Sequence, residues 1–177
     1  MENIDFTAIA YLEKGNALQQ KTFRIISEYN ILQKLEGYDP LVVGTIPINI
    51  DVENSDVDII LQTNNVEKLQ DIILLHFQQF DDFSVTVNEK ESERILVSNF
   101  TIDNLPFEIY ASSIPTNNQN GYLHMLKEYE ILQHLGEDFR KKIIHLKENG
   151  YKTEPAFCKL LNIEGNPYIE LLDYEFD

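Results

Sequence analysis

Val43-Gly44-Thr45-Ile46-Pro47-Ile48-Asn49-Ile50-Asp51-Val52-Glu53-Asn54-Ser55-Asp56-Val57-Asp58-Ile59-Ile60 is the stretch from which the rest of the chain is best read. It ends in an apolar run, Val57, Ile59 and Ile60, into which Asp56 and Asp58 are set two residues apart. Side chains alternate along a strand, so both acids project from one face, with Cα atoms about 6.5–7 Å apart. Carboxylates that close repel each other and make poor core residues, whereas hard divalent cations such as Mg²⁺ prefer oxygen ligands. The apolar neighbours hold the strand in a sheet and aim the acids. Upstream, Gly44 lets the backbone approach a phosphate closely, and the Thr45 hydroxyl can donate to an oxyanion.

Outward from this stretch, Pro40 opens a short apolar strand over residues 41–43 that ends at Gly44, and a second strand covers 57–61. Thr63-Asn64 reads as the cap of a helix over 66–80, with Leu69, Ile72, Ile73 and Phe77 on one side. Three β-rich runs follow, at 83–87, 94–102 and 106–111, with Asp103-Asn104 as a hairpin turn. In the last run Phe107 and Ile109 alternate with Glu108, so this acid faces away from its apolar neighbours. If that strand pairs beside 57–61, three acids converge.

The flanks read as helices. A short one spans about 4–12, and Asn16 caps a second whose apolar positions continue through Leu32 and Leu35 to a stop at Gly37. Helices over 122–135, 138–149 and 154–161 follow the strands, with Gly136 and Gly150 as stops and a last apolar stretch at 168–172. The class is α/β (α+β): a mixed, twisted sheet of about five strands covered by helices. The expected organisation is one domain over 1–177, with its sheet core at about 38–112 and its C-terminal helices at about 117–177.

Composition bounds the partners. The 177 residues are 43% hydrophobic and 25% charged, an ordinary globular mix. Fourteen Lys and Arg against 30 Asp and Glu leave a net charge of −16, which argues against a basic stripe for long DNA or RNA. No apolar run reaches the ~20 residues of a membrane span, and residues 1–12 lack the order of a signal peptide. The single Cys158 cannot form an internal disulfide and reads as a small buried apolar residue. A soluble, cytoplasmic protein without a membrane partner is the expectation.

An apolar strand ending in Gly-Gly or Gly-Ser, some ten residues, Asp-x-Asp on the next strand and a third acid on a later one resemble the nucleotidyltransferase superfamily. The resemblance covers roughly 41–111, and the chain as a whole looks most like an uncharacterised bacterial branch. It implies that Gly44 and Thr45 contact the phosphates of a nucleoside triphosphate. It also implies that Asp56 and Asp58 bind Mg²⁺ or Mn²⁺, with Glu108 as the third acid that helps activate an acceptor hydroxyl. The C-terminal helices look like the bundle that small members place beside the sheet to hold the acceptor. Two departures stand out. Thr45 replaces the commoner Ser, and residues 46–51, with Pro47 and three isoleucines, read as an extended loop lacking the relatives' Arg or Lys.

Other polar residues have plainer readings. Asp51 and Glu53 belong to a solvated loop with Asn54-Ser55 as its turn, although Ser55 is also a candidate phosphate donor. Arg94 is expected to pair with Glu91 or Glu93, and Lys127 to sit on an exposed helix face within reach of a phosphate. Arg140-Lys141-Lys142 is a solvated face and the best candidate for touching an anionic acceptor. His76, His124, His134 and His145 lack two-His metal spacing and are not assigned as ligands. The leading function is transfer of a nucleoside monophosphate from a triphosphate to a hydroxyl of a small molecule or protein. The competing classes are a non-catalytic binding module that keeps the fold and metal-dependent phosphoester hydrolysis.

Overall fold

The computed structural model describes residues 4–90 and 93–176. Five strands, β1 (Leu41–Val43), β2 (Val57–Gln62), β3 (Asp81–Lys90), β4 (Glu93–Ile102) and β5 (Leu105–Ser112), pair in the order β1-β2-β5-β4-β3. Only β2 and β5 run parallel; the other three pairs are antiparallel, so the sheet is mixed as expected. The β4–β5 turn puts Asp103 and Asn104 at φ 52° and 56°. Two left-handed residues in a row match the right-handed twist of a hairpin, and Asp and Asn tolerate that region without glycine.

The two faces of the sheet carry two cores. On one, Val57, Ile59 and Leu61 of β2 and Phe107 and Ile109 of β5 pack against the helices α1 (Ala17–Glu28), α2 (Ile31–Lys34) and α3 (Val66–Phe77). Phe77, Phe100 and Phe107 form a stacked column, with ring centroids 4.9 and 5.3 Å apart. On the other face, Leu41, Val43 and Ile60 pack with Met125, Ile131 and Leu132 of α4 (Asn120–Glu148) and Ala156, Phe157 and Cys158 of α5 (Thr153–Leu161). Cys158 is buried there, as anticipated. The start of α4 is pinned by Gln119, whose buried amide donates to the carbonyls of Leu61 and Ile114 at 2.9 Å each.

Several boundaries differ from the sequence reading. Asn16 caps α1 in a reciprocal capping box with Gln19, but the helix ends at Glu28 because Asn30 adopts φ 51° and re-aims the chain into α2. The first helical segment is a 3₁₀ turn over Ala10–Lys14. Asn65, rather than Thr63 or Asn64, caps α3, which stops at Phe77. Gly136, at φ 77° and ψ −168°, breaks α4 without a connecting loop, so the chain resumes as helix at once. The last apolar stretch becomes the short α6 (Pro167–Glu170), capped by Asn166.

The largest difference is at residues 46–51. Instead of an extended loop they form a compact turn in which Ile50 N–H donates to the Thr45 carbonyl and Asn49 N–H to that of Ile46, both at 3.1 Å. The reason is apolar: Ile46 is drawn into one core, while Ile48 and Ile50 enter the other. Two cations fasten the turn, Arg140 through the carbonyls of Ile48 and Asn49 and Lys147 through that of Ile50 at 2.8 Å. Arg140, expected on a solvated face, therefore has a side chain only 12% exposed. Arg94 pairs across to Glu67 instead of within its own strand; Glu91 lies outside the described residues. Lys127 donates to the Tyr174 carbonyl at 3.1 Å and pairs with Glu130, which removes it from phosphate contact.

Candidate active site

The parallel register of β2 and β5 sets Asp58 opposite Glu108, flanked by the pairs Val57–Phe107 and Ile59–Ile109. Neighbouring strands lie about 4.8 Å apart, so alternation brings these two acids side by side on the face that looks toward α4 and α5. Asp56 stands exposed just before β2 begins and is near enough for its charge to act on both. Of the three acids singled out in the sequence, Asp58 and Glu108 thus lie side by side, and Asp56 acts on them from a little farther off through its charge.

Gly44 is required by this arrangement. It has φ +84°, and a Cβ placed on it would lie 2.2 Å from Oδ2 of Asp58. The missing side chain lets the Asp58 carboxylate rest against the end of β1, where Val43 is its register partner. Thr45 follows, half-buried, with its carbonyl closing the 45–50 turn. Ser55 closes a second turn: its N–H donates to the Val52 carbonyl at 3.0 Å and its Oγ accepts from the Val52 N–H at 2.9 Å. That is the turn role read for this loop, and it leaves the Ser55 hydroxyl proton for another acceptor.

The acids raise one another's affinity for positive charge. Burial, then the neighbouring Asp56 and Glu108 charges, push the Asp58 carboxyl up to about 8, against a small opposing pull from Lys147. Burial and Asp56 also raise Glu108. Carboxyl oxygens set this close, with a glycine cradle that a side chain would fill, are donors of the kind a hard divalent ion takes.

A cleft of about 440 Å³ opens between this wall and the helices. Gly44, Thr45, Asp58 and Glu108 line it from the sheet, while Gly121, His124, Glu128 and Glu154 line it from α4 and α5. Glu128 is fully buried, and desolvation, together with Glu154, drives its carboxyl well above the usual range. Burial pulls the Lys147 ammonium down to about 8, even though Glu128, Asp51, Glu154 and Asp58 all favour its charge. These helical residues were not singled out in the sequence. The available signal was His124-x-x-x-Glu128, one helical turn apart on a single face, which differs from a two-His pattern.

Comparison with solved structures gives the fold. The GLD-2/RNP-8 complex matches with TM-score 0.51 and 17% identity, over 80% of this chain and 56% of that one. A Cid1 poly (U) polymerase mutant bound to MgATP matches with TM-score 0.54 and 11% identity, over 82% and 44%. The polymerase core of TRAMP, an RNA surveillance complex, matches with TM-score 0.50 and 16% identity, over 92% and 50%. The chain thus spans about half the length of these structures, and its mixed five-stranded sheet and helices match the fold of these nucleotidyltransferases. No helix among the described residues is long and apolar enough to cross a membrane. No curated protein matches the sequence. Residues 24–174 match the family described as "Domain of unknown function (DUF4269)", and the chain belongs to that family.

Proposed function

We propose that the protein is a metal-dependent nucleotidyltransferase that moves a nucleoside monophosphate from a nucleoside triphosphate to a hydroxyl of a small molecule or a protein. The observation that carries this reading is the Asp58–Glu108 register pair on parallel strands, with Asp56 one residue before β2. Asp56, Asp58 and Glu108 are the residues that would hold Mg²⁺ or Mn²⁺, because all three offer only hard oxygen donors. Such ions, when bound, neutralise polyphosphate charge and make a hydroxyl easier to deprotonate. Gly44 offers a flat approach for the β and γ phosphates beside Asp58, and the Thr45 hydroxyl donates to a phosphate oxygen. The Ser55 hydroxyl proton is a further donor near Asp56. Glu108, half-buried and facing the cleft, orients the acceptor hydroxyl.

The cleft volume falls in the ~300–1,000 Å³ range of small-molecule pockets, and a charge of −16 disfavours a long nucleic-acid acceptor. One observation favours a second reading, a binding module that has kept the fold: Arg140 and Lys147, the cations that reach the 45–50 turn, are engaged by its carbonyls. Thermal shift with Mg²⁺ or Mn²⁺ and each nucleoside triphosphate, followed by transfer of labelled nucleotide, separates the two. Transfer predicts stabilisation by metal that grows with nucleotide, and a loss of transfer on the order of 10²–10⁴-fold in Asp56→Asn. Equal transfer by parent and variant overturns the assignment, and indifference to metal and nucleotide supports the module.

A further inference from the structure

On the helical wall of the cleft, His124 and Glu128 of α4 and Glu154 in the first turn of α5 each bring a ligand atom within 4.8 Å of the others. His124 is 5% exposed and Glu128 3%. The His124 Nε2 lies 3.2 Å from the Tyr168 carbonyl, an acceptor only, so Nε2 carries the proton and donates. Its Nδ1 is buried and has no hydrogen-bond partner. This pattern, one ring nitrogen fixed by a backbone carbonyl and the other left with a free lone pair, is how metal-bound imidazoles are oriented.

The charges agree. A carboxylate as buried as Glu128 is costly without a compensating partner. Among the described residues it makes no ion pair within 4.0 Å; Lys147, whose Nζ is directed to the Ile50 carbonyl, offsets its charge only in part and from farther away. A second carboxylate, Glu154, adds to the negative charge beside it. A cation coordinated by all three residues would satisfy the orphaned nitrogen and neutralise charge on both acids.

We propose that His124, Glu128 and Glu154 form a second metal site, separate from the Asp56–Asp58–Glu108 trio, that takes Zn²⁺ with an open position facing the cleft. One imidazole and two carboxylates suit zinc better than Mg²⁺, which avoids nitrogen. Three protein ligands leave a fourth tetrahedral position free. Ligand atoms around such an ion stand ~3.4 Å apart, so the cluster closes by a small side-chain rotation. Bound zinc would tie α5 to α4 and present a Lewis-acidic contact to whatever occupies the cleft. The proposal is independent of nucleotidyl transfer.

The test is calorimetric titration of Zn²⁺ alone into a full-length variant with the trio neutralised (Asp56→Asn, Asp58→Asn and Glu108→Gln together). One zinc equivalent is expected, with affinity falling about 10–100-fold when Glu154→Gln or His124→Gln is added. Glu154 is only partly buried, so its variant reports even if the His124 change disturbs folding. Absence of zinc binding in the trio-neutralised protein overturns the proposal. So does binding that neither added substitution weakens. Spermidine binding that is lost in Glu154→Gln, in place of zinc binding, would instead make this wall a pocket for amine-bearing molecules and overturn it as well.

Discussion

The two walls of the cleft hold acids by different means. On the sheet wall, Asp58 and Glu108 are fixed by strand register, and Asp56 remains open to solvent. Backbone hydrogen bonds set their spacing, so neither side chain needs a partner to hold it in place. On the helical wall, Glu128 is buried, His124 is steered by a single carbonyl, and Glu154 arrives on a separate helix. Their proximity depends on how α5 docks against α4. A carboxylate set by ladder geometry keeps its place while ions exchange, whereas one set by helix packing depends on the docking that a bound ligand would reinforce.

Substitutions that act on one wall sharpen this contrast. The largest effect is expected from Gly44→Ala, which forces an L-residue into the left-handed region and drives a methyl group into the Asp58 carboxylate. A stability loss of about 3 kcal/mol is expected in chemical denaturation, together with a weakened thermal response to Mg²⁺. If Gly44→Ala kept both parental stability and metal response, the sheet wall would not depend on that cradle.

A smaller effect is expected from Lys147→Met. It removes the ammonium that serves the Ile50 carbonyl and offsets charge on Asp58 and Glu128, so it touches both walls. A cost of about 1–3 kcal/mol follows from leaving a buried acceptor unsatisfied. A stable Lys147→Met variant would show that the walls are held independently.

A third expected effect is a pH trend in metal-free protein. Asp58 titrates near 8 in the fold and at an ordinary carboxyl value when unfolded. Between those values the native state alone keeps the proton, so stability falls as pH rises toward 8. Lys147, pulled down to about 8, acts the other way above that point, because the native state releases its proton first and stability recovers with rising pH. Melting temperatures should therefore drop measurably from pH 5 to pH 8. The slope should flatten in Asp58→Asn and in saturating Mg²⁺; an unchanged slope in Asp58→Asn would remove Asp58 as its source.

The sheet wall was largely legible in the sequence because alternation is a local code. Asp56-Val57-Asp58 and Phe107-Glu108-Ile109 announce which side chains share a face, and Asp103-Asn104 announces the turn that aligns the strands. What the letters left open was pairing, and the parallel β2–β5 register supplied it. The helical wall was not legible in this way. His124 and Glu128 fit any amphipathic helix, and Glu154 joins them only because α4 breaks at Gly136 and α5 packs back through Phe157. The 46–51 stretch misled for a related reason. Its spaced isoleucines look extended in one dimension, but each was claimed by whichever core lay nearest in three.

Arg140 and Lys147 grip main-chain oxygens of residues 48–50, not side chains. Such a grip is blind to lettering and sensitive to length. Point changes leave every carbonyl where its cation expects it, whereas inserting or deleting one residue there would shift all of them together. Distant kin of this chain are therefore better sought by the count of residues separating the glycine from the paired aspartates than by the spelling in between.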